Sequence, residues 1–154
     1  MQLHEYSFRM AQPVWETGTA HTMNRTVSFC TDIPLSDLPA GQQIRLAAAA
    51  SCSFVLLVNG QFVAHGPARC AHGFFRVDEY DLTPYLTAQF NRVCLRTAGY
   101  NVNSFSYLNQ PSFLCAEITA GEQVLAATGA GNARDFIAYG VGERIRRVQR
   151  YSFQ

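Results

Sequence analysis

The feature that most constrains this chain is its punctuation: short apolar runs alternate with turn residues along the whole length, and no long segment keeps a 3.6-residue hydrophobic period. Such a pattern excludes a helical bundle and predicts short strands. Arg25 to Asp32 reads as a strand with Val27 and Phe29 on one face, closed by Pro34 and the Pro39-Ala40-Gly41 turn. Gln43 to Ala50 and Ser53 to Val58 follow. Asn59-Gly60 then supplies the residue pair that accepts the positive φ angles of a two-residue type I′ hairpin, with Gln61 to His65 as the return strand. Gly73 to Asp81 alternates Phe75, Val77 and Glu79 and leads into Asp81-Leu82-Thr83-Pro84, where an Asp with Pro three residues on suits a capped helical turn. Arg92 to Ala98, Ser112 to Ile118, Gln123 to Thr128 and a final run from Phe136 towards Phe153 complete eight or nine strands. The expected fold is all-β, an antiparallel β-sandwich.

Composition agrees. The 154 residues suit one domain, and 15% charged residues with 19 aromatic ones exclude a disordered chain. The longest apolar stretches fall far short of a membrane span. All 12 basic residues are Arg, and four of them crowd into Glu143 to Arg150, leaving the remainder at a net charge of −2. A nucleic-acid binder spreads its cations over a face that tracks phosphates, so this cluster is expected to meet acidic groups of protein instead. Cys30, Cys52, Cys70, Cys94 and Cys115 form an odd, widely spaced set in largely apolar surroundings, which reads as small buried hydrophobes in a reducing compartment. With no basic-then-apolar leader at the start, the cytoplasm is the expected location, or the periplasm or exterior if a signal was removed.

Three constellations carry possible chemistry. Glu79 and Asp81 share a strand face about 7 Å apart, a separation within reach of a carboxylate pair acting on a glycoside, but the capping role of Asp81 competes with catalysis. His65, Cys70 and His72 offer metal-ligand types without a fourth ligand at a recognisable spacing, so neither metal nor cofactor is expected. The loop from Tyr100 to Gln110 is the most suggestive. Aromatic faces stack on sugar C–H groups while planar amides bond vicinal hydroxyls, and Tyr100, Asn101, Asn103 and Tyr107 are the candidate carbohydrate-binding residues. The competing reading is that the rings plug the end of the sandwich and the amides satisfy loop backbone.

A family pattern runs through the same residues. Val58-Asn59-Gly60-Gln61-Phe62-Val63, Gly66-Pro67-Ala68-Arg69, Phe74 to Asp81, Asp81-Leu82-Thr83-Pro84-Tyr85-Leu86 and Asn91-Arg92-Val93 occur in an order that resembles the amino-terminal β-sandwich of bacterial alpha-L-rhamnosidases. The hairpin and the Asp-Leu-Thr turn also resemble jelly-roll domains of beta-galactosidase-type hydrolases. Tyr100 to Ser104, Gln110 to Leu114 and Arg150 to Gln154 look more like the rhamnosidase group. The resemblance implies a jelly roll of the galactose-binding-domain type. It further implies that hydrolysis of terminal alpha-L-rhamnosyl linkages, with inversion, belongs to a separate (α/α)6 barrel downstream in the same polypeptide.

On that basis residues 1–142 are expected to form an accessory sandwich, and 143–154 an Arg-rich exit strand or connector. The expected role is non-catalytic, with the downstream barrel as partner. The alternative is a carbohydrate-binding module for rhamnosylated glycans acting through the 100–110 loop, and a third reading is an independent enzyme using Glu79 and Asp81.

Overall fold

A computed structural model describes residues 5–71, 73–103, 107–131 and 135–142. Nine strands occur among them: β1 (Arg25–Pro34), β2 (Ile44–Ala50), β3 (Ser53–Val58), β4 (Gln61–Gly66), β5 (Asp78–Asp81), β6 (Phe90–Gly99), β7 (Leu114–Ala120), β8 (Gln123–Ala127) and β9 (Ile137–Gly140). They form two antiparallel sheets, ordered β4-β3-β6-β1-β9 and β5-β2-β7-β8. The expected antiparallel β-sandwich is the observed fold.

Alternation explains which faces meet. In β6, Asn91, Val93, Leu95 and Thr97 are buried while Arg92 and Arg96 are exposed, and β3 buries Phe54, Leu56 and Val58 opposite them. These side chains interleave with Leu46, Leu114, Ala116 and Ile118 from the second sheet to make one core. Strand β2 departs from alternation. Ala47 and Ala49, on its outer face, are as buried as Leu46 and Ala48, because residues before β1 run across that sheet and cover it. Val14 bridges Leu114 there, and Gln12 and Thr128 exchange hydrogen bonds. Beneath this strap lies Glu117, 2% exposed, whose carboxylate accepts the backbone N–H groups of Arg9, Met10 and Ala11.

The turn chemistry follows the sequence closely at the β3–β4 hairpin, where Asn59 and Gly60 have φ of 51° and 79°. Three sequence expectations are corrected. Only Asp78–Asp81 of the expected Gly73 to Asp81 strand pairs with β2; upstream, Ala71 and Phe74 close a turn and the chain leaves the sheet. Asp81 sits one residue before the N-cap Leu82 of the 3₁₀ turn Thr83–Tyr85, although its Oδ1 still accepts the Thr83 N–H at 2.9 Å.

The third correction concerns cysteine. Cys30 and Cys94 are bonded to each other, not separate buried thiols, because the β1–β6 register sets them directly opposite on the outer face of the sheet. Cys115 is buried as expected, Cys52 is half-buried and Cys70 exposed. The final strand extends over Ile137–Gly140, and the Arg-rich segment 143–154 lies outside the described residues.

Candidate functional site

At one end of the sandwich the β2–β3 turn, the β4–β5 loop and the β6–β7 loop surround an open groove of about 710 Å³. Each wall is held by backbone partners. The Ser51 N–H donates to the Phe113 carbonyl, its hydroxyl accepts the Phe113 N–H and its carbonyl accepts the Gln110 amide at 3.0 Å, which ties the β6–β7 loop to the β2–β3 turn. On the opposite wall Asp78 is the organiser. Its carboxylate accepts the Ala68 N–H at 2.9 Å, the Arg76 guanidinium at 2.7 Å and, more weakly, the Tyr80 hydroxyl at 3.4 Å. Burial, and then the negative charge of Asp78, push the Tyr80 phenol up to about 12, so it stays a neutral donor. Gly66 is needed at this corner, since a Cβ there would run into the Tyr80 hydroxyl, Asp78 and the Phe54 ring.

The surface of the groove is aromatic and cationic. Phe74 and Phe75 are 57% and 49% exposed, unusual for side chains of that size. Phe75 also packs edge-on against Phe113, with centroids 4.7 Å apart, which fixes its ring. His65, Arg69, Arg76 and Tyr107 share the lining.

Of the four loop residues singled out from sequence, Tyr100 and Tyr107 come together with ring centroids 4.4 Å apart, and Tyr107 lines the groove. Burial raises the Tyr107 phenol above its ordinary value, Arg69 acting in the opposite sense. Asn101 is buried in a left-handed conformation, φ 46°, with its amide nitrogen within 3.1 Å of the Ala20 and Thr22 carbonyls and the Ser112 hydroxyl. It holds the base of the loop against the chain before β1. Asn103 is exposed and its Oδ1 accepts the Asn109 N–H, closing a turn within the loop. Phe105 lies outside the described residues.

The other constellations disperse. Glu79 and Asp81 lie on one face of β5, but Asp81 is engaged through both oxygens, by Thr83 and by the Gln43 amide. These bonds hold the Asp81 carboxyl below its ordinary value, those from Thr83 contributing most. His65 and Cys70 both line the groove, the Cys70 thiol donating to the Phe74 carbonyl; His72 lies outside the described residues, among which no group of metal-ligating side chains occurs. Sequence reasoning missed Phe74, Phe75 and Arg69 as groove residues. The signal was an apolar pair next to Gly73, in a segment that lacks strand partners.

Comparison with solved structures places this geometry. A GH78-family rhamnosidase of Bacillus sp. GL1 superimposes with a TM-score of 0.76 at 26% identity over 90% of this chain. The chain resembles part of a rhamnosidase. The match covers 14% of the rhamnosidase chain, so most of that protein lies beyond the shared sandwich. No family model matches the sequence, and no curated protein does.

Proposed function

We propose that the chain is a non-catalytic, amino-terminal accessory domain of an alpha-L-rhamnosidase, packed beside a catalytic barrel in the same polypeptide. The observation that carries this reading is the pairing of 90% coverage of this chain with 14% coverage of the rhamnosidase. A domain of that proportion supplies a small part of a larger hydrolase, and function resides in the site, not in the shared fold. The isolated chain is expected to leave aryl alpha-L-rhamnosides uncleaved. Its reading frame is expected to continue into a barrel-encoding segment; a stop codon immediately after Gln154, or turnover that disappears on Glu79→Gln, would overturn the reading.

A second reading is favoured by the groove: the domain acts as a carbohydrate-binding module. Its support is the exposed Phe74 and Phe75 pair beside Tyr107, a surface that gives a sugar ring flat apolar contacts with polar donors at the edges. Chemical-shift mapping with rhamnose and rhamnosylated oligosaccharides tests it. Shifts centred on Phe74, Phe75 and Tyr107 are expected, and unchanged groove resonances at millimolar sugar would remove this reading without touching the first.

A further inference from the structure

The groove has an imbalance of charge that the carbohydrate reading by itself does not use. Among the described residues of its lining Asp78 is the one carboxylate, and it is already committed to the Ala68 N–H, the Tyr80 hydroxyl and Arg76. Arg76 gives up its Nε in that pair, while its side chain stays 57% exposed. Arg69 is exposed on the same wall and makes no ion pair among the described residues. His65, exposed and facing the same space from the end of β4, adds a ring N–H donor. Elsewhere the described arginines mostly have carboxylate partners: Arg9 with Glu122, Arg25 with Glu16 and Arg92 with Asp32. The groove therefore collects cationic donors and apolar rings and, among its described residues, holds no carboxylate free to answer them.

We propose that the groove binds a carbohydrate bearing a carboxylate, a uronic acid residue within a glycan, with Arg69 and His65 receiving the carboxylate and the Phe74, Phe75 and Tyr107 rings contacting the sugar. The proposal rests on the carbohydrate-binding reading and narrows it to an acidic sugar. Its physical basis is geometric. A guanidinium presents parallel N–H donors that match a carboxylate in a bidentate pair, a match that a neutral hydroxymethyl group cannot make. The rings discriminate in turn against a bare anion, which offers no C–H face. The fixed walls help as well, since Asp78 and the Phe75–Phe113 contact set the β4–β5 loop before any ligand arrives.

A matched pair of probes tests the proposal. Cellobiouronic acid and cellobiose differ by one carboxylate, and sodium acetate supplies the carboxylate without the sugar. Titrated into the whole chain and followed by NMR, cellobiouronic acid is expected to bind on the order of tenfold more tightly than cellobiose, the equivalent of one charge-assisted contact. Its shifts should centre on Arg69, His65 and Tyr107, and acetate should leave those resonances in place. Arg69→Gln is expected to erase the advantage of the acid, and Phe74→Ala to weaken both sugars. Arg69 lies on an exposed loop, and an unchanged amide spectrum verifies that the variant is folded. Equal binding of the two sugars, or an advantage that survives Arg69→Gln, would overturn the acidic specificity and leave a neutral carbohydrate module. Acetate shifts equal to those of the sugar acid would overturn it in favour of a plain anion site. Silence with all three probes would overturn both this proposal and the carbohydrate reading, while the accessory-domain reading, tested by the reading frame, would stand.

Discussion

Glu117 is the residue whose environment departs furthest from what its type leads one to expect. It lies in mid-strand on β7, 2% exposed, with three backbone N–H groups of the strap converging on its carboxylate. A carboxylate buried this deeply is tolerable only when its lone pairs are occupied, and here the strap N–H groups occupy them. Removing the carboxylate by Glu117→Ala is expected to cost about 1–3 kcal/mol, the penalty of leaving the buried Ala11 N–H, and the partly buried ones of Arg9 and Met10, without their acceptor. Glu117→Gln should cost less, because one amide oxygen still accepts. Urea denaturation checks both, and a midpoint for Glu117→Ala equal to wild type would show that the strap is not anchored there. This role was not legible in the sequence: a single Glu within Leu114 to Ile118 reads as the solvent side of a strand, and the chain that covers it is more than a hundred positions away. Asn101 shows the same limit. An Asn between aromatics in a loop looks like a ligand contact, yet its amide is spent on carbonyls at Ala20 and Thr22. Local composition names the donors; only the fold says which acceptors they meet.

At the scale of the element, the β3–β4 hairpin was the most legible part, because the Asn-Gly pair specifies a backbone conformation by itself. What the sequence did not reveal is that Asn59 also stitches the hairpin to β6, its neighbour in the same sheet. Its Oδ1 accepts the Arg92 N–H at 2.9 Å, and its Nδ2 donates to the Asn91 Oδ1 at 3.0 Å. Asn91 is fully buried and binds the Ala88 backbone as well. Asn59→Ala loses both bonds and puts a Cβ residue without a local polar side chain at positive φ, so a loss of about 1–3 kcal/mol is expected. Asn59→Gly removes the bonds but relieves the backbone, and should cost less; thermal melts of the two variants separate the contributions. The Cys30–Cys94 bond illustrates the opposite case. Both cysteines sit at outward positions of their strands, but 64 positions of sequence separate them, and nothing local says that β1 and β6 are neighbours in that register. A loop of that size makes the crosslink worth about 2–4 kcal/mol, chiefly by restricting the unfolded chain. Cys30→Ser with Cys94→Ser is expected to lower the melting temperature, whereas reductant should have no further effect on that double variant.

For the molecule as a whole, the titrating groups set the range of pH over which the sandwich holds together. On the acid side, the Arg92 guanidinium holds the Asp32 carboxyl below its ordinary value, and the Thr83 hydroxyl and N–H with the Gln43 amide do the same for Asp81. Their contribution is present above the unfolded carboxyl pKa and is lost as pH falls through the lower folded one. Both groups are exposed, so solvent screens the effect and the acid limb should be shallow. On the alkaline side the order is reversed. Burial pushes the Cys115 thiol up from 9.0 to about 11, and the Tyr80 phenol from 10.0 to about 12. The folded state keeps these protons while the unfolded chain releases them, so their contribution is complete below pH 9 and is lost as pH rises towards 11 and 12. The melting temperature is therefore expected to form a plateau through neutral pH and to fall more steeply above pH 9 than below the carboxyl range. Cys115→Ala replaces the thiol by a methyl group among Ala11, Ala127 and Phe113, so it should keep the neutral plateau within about 1 kcal/mol of wild type. Its alkaline decline should be shallower, because one of the buried thiols is gone while the Cys52 thiol, also raised from 9.0 by burial, and the Tyr80 phenol still lose their contributions. Melting curves of both proteins across that range decide the matter. A decline as steep in the variant as in wild type would assign the alkaline limb to groups other than the Cys115 thiol.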